Sequence, residues 1–73
     1  MDFYEVLGQE LKKIRMGSER SLSWVAKKAG ISVSGYSCIE KGTARPPMEK
    51  VQTICGVLDT DFKALMQSVV DKM

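Results

Sequence analysis

The chain of 73 residues contains no histidine, which excludes imidazole catalysis and histidine-ligated metal sites from the start. Cys38 and Cys55 lack the CxxC-type spacing of a metal site, and two cysteines cannot build a disulfide framework. Ser32, Ser34 and Ser37 have no histidine to act as their base, so they read as caps and contacts, not as nucleophiles. The chemistry left open is anion binding. Between Lys12 and Arg45 stand eight basic residues (Lys12, Lys13, Arg15, Arg20, Lys27, Lys28, Lys41, Arg45) and two acids, Glu19 and Glu40, a local balance of +6. The rest of the chain holds three lysines and seven acids, a balance of −4, which leaves the net charge at +2. A basic middle between acidic ends is the asymmetry of a small nucleic-acid binder. An ordinary solvated surface is the competing account of the same charges.

Elements must present those charges, and the length limits what they can be. A chain this short is at most one domain, expected over residues 1–73, and folds alone only with an efficient core. A catalytic pocket would consume core it cannot spare, so a binding module without metal or cofactor is expected, not an enzyme. No apolar run approaches the ~20 residues of a membrane span. The start, Met-Asp-Phe-Tyr-Glu, lacks the basic and apolar regions of a signal peptide, so a reduced, cytoplasmic location is expected.

The patterning predicts an all-α chain of five short helices. Asp2 and Glu5 form a capping box before a stripe of Phe3, Leu7, Leu11 and Ile14, and Gly17-Ser18 ends that helix. Ser21 caps a second helix with Val25, Ala26 and Ala29 inward, and Gly30 stops it. Ile31 plugs a tight turn, and Ser32 caps a third helix with Tyr36 and Ile39 inward and Gly42 at its end. Pro46-Pro47 closes a loop from Thr43. A fourth helix then buries Met48, Val51, Ile54, Cys55 and Leu58. After an Asp59-Thr60-Asp61 turn, a fifth helix (about 61–73) carries Phe62, Leu65, Met66, Val69, Val70 and Met73. The second and third helices, about 21–42, are joined by a short glycine turn in which small Ala26 allows a close crossing. That is the helix-turn-helix arrangement.

From Leu11 to Leu65 the chain resembles the lambda-repressor/Cro-like, Xre-type helix-turn-helix transcription regulators. The matching pieces are "LGQELKKIR" (7–15), "SLSWVAKKAGISVSGYSCIEKG" (21–42), Pro46 and "VQTICGVLD" (51–59). The last third is also similar to restriction–modification controller proteins and phage repressors. The resemblance implies double-stranded DNA as partner, with the third helix in the major groove. It places Val33, Ser34 and Cys38 at base edges, with Ser37 and Lys41 beside them. Ser32 would cap that helix and offer its amide end to a phosphate. Ser21 and the stretch Thr43 to Arg45 match phosphate-contacting positions, and affinity is expected to come mainly from Lys41, Arg45, Lys27 or Lys28 and the helix-end amides. Arg15 and Glu40 match a buried ion pair tying the first helix to the third.

Several positions depart from the family. Leu22 stands where glutamine is usual, and Arg20 occupies the preceding apolar slot, so Leu22 is expected to turn inward. The base-facing set holds no Arg, Gln or Asn, which removes the bidentate pairings worth ~1–3 kcal/mol each. Gly35 lies inside the third helix, where its missing side chain would let DNA or a protein approach closely. Trp24 either packs across the end of the first helix over Met16 or anchors a protein partner. Val69, Val70 and Met73 either pack on Phe3, Tyr4 and Leu7 or, as we favour, form a homodimer seam. The alternative to a DNA-binding regulator is an interaction module that uses Leu22, Trp24, Val33 and Tyr36 against another protein.

Overall fold

The helices begin where side chains satisfy the first backbone N–H groups. Asp2 accepts the Glu5 amide at 2.8 Å and Glu5 accepts the Asp2 amide at 3.2 Å, opening α1 (Phe3–Gly17) with a full capping box. Ser21 caps α2 (Leu22–Ala29), Ser32 caps α3 (Val33–Lys41) and Asp61 caps α5 (Phe62–Lys72), each accepting from an amide three residues on. Pro47 precedes α4 (Met48–Val57) without a side-chain cap. Gly30 and Gly42 end α2 and α3 at φ +72° and +80°, where a side chain would strain the backbone. The structure, a computed structural model, describes residues 2–73, and these form an all-α fold with no strand.

The core is one cluster drawn from all five helices: Val6, Leu7 and Leu11; Val25, Ala26 and Ala29; Tyr36 and Ile39; Val51, Ile54, Cys55 and Leu58; Leu65 and Val69. Burial raises the pKa of the Cys55 thiol, keeping it protonated and inert. α1 packs on both α3 and α5, and α2 packs on both α3 and α4, so α3 is held from two sides. Its approach to α1 depends on Gly8. A Cβ there would stand 2.5 Å from the carbonyl oxygens of both Ile39 and Glu40.

Two positions differ from expectation. Met48 lies at the first position of α4 and is 40% exposed, since burial on that helix begins one turn later, at Val51. Val69 is fully buried beside Leu65, one turn earlier on the α5 face that meets α1, so it is core and no part of an open seam. The end of α1 falls where the sequence places it, with Gly17 the last helical residue and Ser18 the C-cap, and the chain then reverses at Glu19, at φ +59°.

A polar clamp secures the far end of α5. Glu10 accepts from Ser68 Oγ at 3.0 Å and from Lys72 Nζ at 2.8 Å. The Lys72 bond, opposed by partial burial, lowers the Glu10 pKa below its ordinary 4.5. A depressed carboxylate stabilises the fold above its unfolded pKa and loses that contribution as pH falls through the folded value. The Glu10→Gln variant should therefore be less stable than the parent at pH 7. Urea midpoints of the two should converge as pH drops below 4.5. Gly8→Ala gains ~1 kcal/mol of helix propensity but forces a methyl against rigid carbonyls, at a cost of up to ~3 kcal/mol. A net loss of about 2 kcal/mol is expected by chemical denaturation; a stabilised variant would contradict the close crossing.

Candidate nucleic-acid interface

One guanidinium joins three segments around α3. Arg15 donates from Nε to Glu40 Oε2 at 2.7 Å and from Nη2 to Oε1 at 3.1 Å, a bidentate pair between the ends of α1 and α3. Its Nη1 donates to the Arg20 carbonyl at 2.8 Å, fixing the turn that leads into α2. The hydrogen bond to Glu40 raises the Arg15 pKa further above its ordinary value. Both side chains are largely withdrawn from water, 11% and 5% exposed. Tyr36 lies fully buried beside the pair, its hydroxyl without a well-formed hydrogen bond. Burial first, and then the Glu40 charge, hold its phenol far above the ordinary range, so it stays neutral.

With Tyr36, Ile39 and Glu40 inward, the opposite side of α3 faces out. Val33 is 48% exposed, and Ser34, Cys38 and Lys41 are also exposed, while Ser37 is half-buried. These positions follow helical i, i+4 spacing in two neighbouring rows, 33-37-41 and 34-38. Ser32, exposed at the head of the helix, spends its hydroxyl on the Gly35 amide at 3.1 Å. Gly35 leaves space for that bond. A Cβ there would lie 2.8 Å from Ser32 Oγ and 3.4 Å from Ile31, so its missing side chain makes room for the cap.

Beside the outer rows lies a cleft of about 360 Å³ lined by Gln9, Lys12, Arg15, Leu22, Ser37, Glu40 and Lys41. Lys12 and Lys41 project here from two helices, while the Glu40 charge is already matched by Arg15. Leu22 is half-buried against the core, turned inward as its sequence position predicts. The cleft roles of Gln9 and Lys12 were missed in the sequence, since only the α1–α3 crossing brings them beside Lys41. Ser21 caps α2 at its exposed start, and Lys27 is exposed in that helix's last turn, outside the cleft.

The loop after α3 is tied back to that helix by three hydrogen bonds. The Cys38 carbonyl accepts the Thr43 amide at 3.1 Å, the Thr43 hydroxyl at 3.3 Å and the Ala44 amide at 3.3 Å. Arg45 leaves this loop with its side chain 69% exposed. Trp24 is half-buried, bordering a shallow pocket with Ser18, Arg20 and residues Val57 to Asp59, with the Arg20 guanidinium 4.1 Å above its ring. Met16 remains exposed. The fully buried Tyr36 cannot belong to a partner-binding surface, which corrects its place in the interaction-module alternative. On α5, Val70 and Met73 are 57% and 63% exposed.

A family model described as a helix-turn-helix domain matches residues 6–67. The chain belongs to the helix-turn-helix domain family. Within that family its sequence resembles the Xre type. It is 30% identical over 69 residues to the transcriptional regulator ClgR of Mycobacterium tuberculosis, in two strains. That match covers 94% of this chain but 62% of ClgR, so the chain spans less than two-thirds of those relatives' length. The fold superposes on the clp gene regulator ClgR from C. glutamicum with a TM-score of 0.93 at 20% identity, covering 100% of this chain and 95% of that one. A mutant of the restriction–modification controller protein C.Esp1396I superposes with a TM-score of 0.87 at 15% identity, covering 99% and 91%.

Removing one member of a buried ion pair strands the other charge, at a cost of about 3–5 kcal/mol. Arg15→Ala and Glu40→Ala should each lose about that much in urea denaturation. The double variant Arg15→Met/Glu40→Leu should recover most of it. Additive losses would show that the pair does not act as a unit.

Proposed function

We propose that this helix-turn-helix chain is a transcriptional regulator that binds double-stranded DNA. The carrying observation is the distribution of charge. The segment Lys12–Arg45 holds a balance of +6, and its one buried acid, Glu40, is neutralised internally by Arg15. Lys12, Lys27, Lys28, Lys41 and Arg45 are thus left to act outward from the helix-turn-helix and its flanks. In this reading α3 enters the major groove with Val33, Ser34 and Cys38 at base edges and Ser37 beside them. Ser21, Lys27, Ser32, Lys41, Thr43 and Arg45 contact phosphates.

The base-facing set offers a methyl surface, a hydroxyl and a thiol, none of which makes a bidentate base contact. Sequence preference then comes mainly from DNA shape, and affinity mainly from phosphates. Modest affinity per copy favours pairing. Exposed Val70 and Met73, at the end of α5 held by the Glu10 clamp, are the residues proposed for a homodimer seam. Two copies would address half-sites ~34 Å apart on a pseudo-palindromic operator. Phage, plasmid or controller-type repression is the matching role.

The second reading, a protein-interaction module, draws on the same poverty of hydrogen-bonding groups on α3. Its surface is reduced to Leu22, Trp24 and Val33, two of them half-buried. Trp24→Ala separates the two, since a docking role predicts a lost partner with DNA affinity intact.

Raising salt should weaken binding steeply on a mixed-sequence duplex in fluorescence anisotropy. Lys41→Ala should lower affinity equally on all sequences and reduce the log–log salt slope by about 1. Binding that ignores salt would overturn the mechanism.

A further inference from the structure

The first turn of α1 sits against the loop that follows α3. A Cβ on Gly42 would stand 2.7 Å from the Glu5 Cα, so backbone meets backbone there. Two side chains of this turn then reach Arg45. The Tyr4 ring lies 4.9 Å beneath the guanidinium carbon, and an Asp2 oxygen stands 3.6 Å from Nη2. Tyr4 is in turn braced edge-to-face by Phe3, with centroids 5.2 Å apart. Asp2 keeps its other oxygen on the Glu5 amide, so the helix cap holds its carboxylate in place.

We propose that this first turn tunes the phosphate contact of Arg45, with Tyr4 as a positioning residue and Asp2 as an internal rival of the phosphate. The inference rests on the DNA-binding reading above. A guanidinium stacked on a ring covers one face and leaves its in-plane N–H groups able to fork onto two phosphate oxygens. Stacking also restricts a long side chain before binding, so less freedom is lost when the phosphate arrives. Asp2 acts the other way, since its carboxylate offers Arg45 the same charge-assisted contact that a phosphate would.

The magnitudes allow exchange. Asp2 and Arg45 have side chains 48% and 69% exposed, and exposed ion pairs change an equilibrium by no more than roughly five-fold. The carboxylate therefore yields to DNA but weakens the complex by a few-fold. Asn at position 2 would retain a capping oxygen while removing the charge.

The test is anisotropy titration of a labelled mixed-sequence duplex with the full chain and its variants, with thermal melts to follow folding. Asp2→Asn should tighten binding roughly two- to five-fold. That gain should vanish in an Arg45→Ala background. Tyr4→Leu should weaken binding roughly two- to five-fold, Tyr4→Phe should restore it, and Tyr4→Leu should have no effect once Arg45 is alanine. If Asp2→Asn binds no more tightly, or the Tyr4 effect persists without Arg45, the inference is wrong while the DNA reading stands. If the parent shows no salt-dependent binding to the duplex, both fall together.

Discussion

The placement of α3 depends on the Arg15 guanidinium. Its bidentate bond to Glu40 holds the end of α3 to the end of α1, and its third donor holds the Arg20 carbonyl in the turn before α2. Three segments that must agree for α3 to project are therefore referenced to one planar group. The arrangement is demanding. A charge withdrawn from water is tolerated only with full pairing, and here the carboxylate uses both oxygens while the guanidinium uses all three nitrogens. The crossing that brings the partners together exists because Gly8 lets α1 approach the α3 carbonyls.

This pair also sets the electrostatics of the outer surface. Glu40 is the acid nearest the outward rows of α3, and an unpaired carboxylate there would oppose a polyanion. Paired with Arg15, it leaves Lys12 and Lys41 to dominate the cleft between α1, α2 and α3. The same economy appears at the other end of α3, where Gly35 makes room for the Ser32 cap. Local groups that could have contacted a ligand are spent on holding the helix, and the affinity in this account shifts to lysines and to Arg45.

Much of this was legible in the sequence, because the relevant signals are local. Asp2 with Glu5, Ser21, Ser32, Asp61, Gly30 and Gly42 mark helix ends through bonds that span three or four residues, and each acts as its type predicts. The inward stripes of α2 and α3 follow from helical spacing alone. What failed is what depends on elements distant in the chain. Val69 shares its apolar pattern with Val70 and Met73, but its burial is decided by where α5 meets α1. Met48 matched the apolar period of α4, yet nothing covers the first turn of that helix enough to bury it. Gly8 and Val6 carried no periodic signal for a crossing, and the meeting of Asp2 and Tyr4 with Arg45 spans most of the chain.

In the proposed function the outer rows of α3 and the loop after it form the DNA-contacting surface. An amide-resonance map of the isotope-labelled chain, titrated with a DNA duplex at low salt, tests it most directly. The largest shifts are expected at Ser21, along Ser32 to Cys38, and from Lys41 to Arg45, with small changes along α5. Shifts centred on Trp24 or on the end of α5, with α3 unmoved, would contradict it.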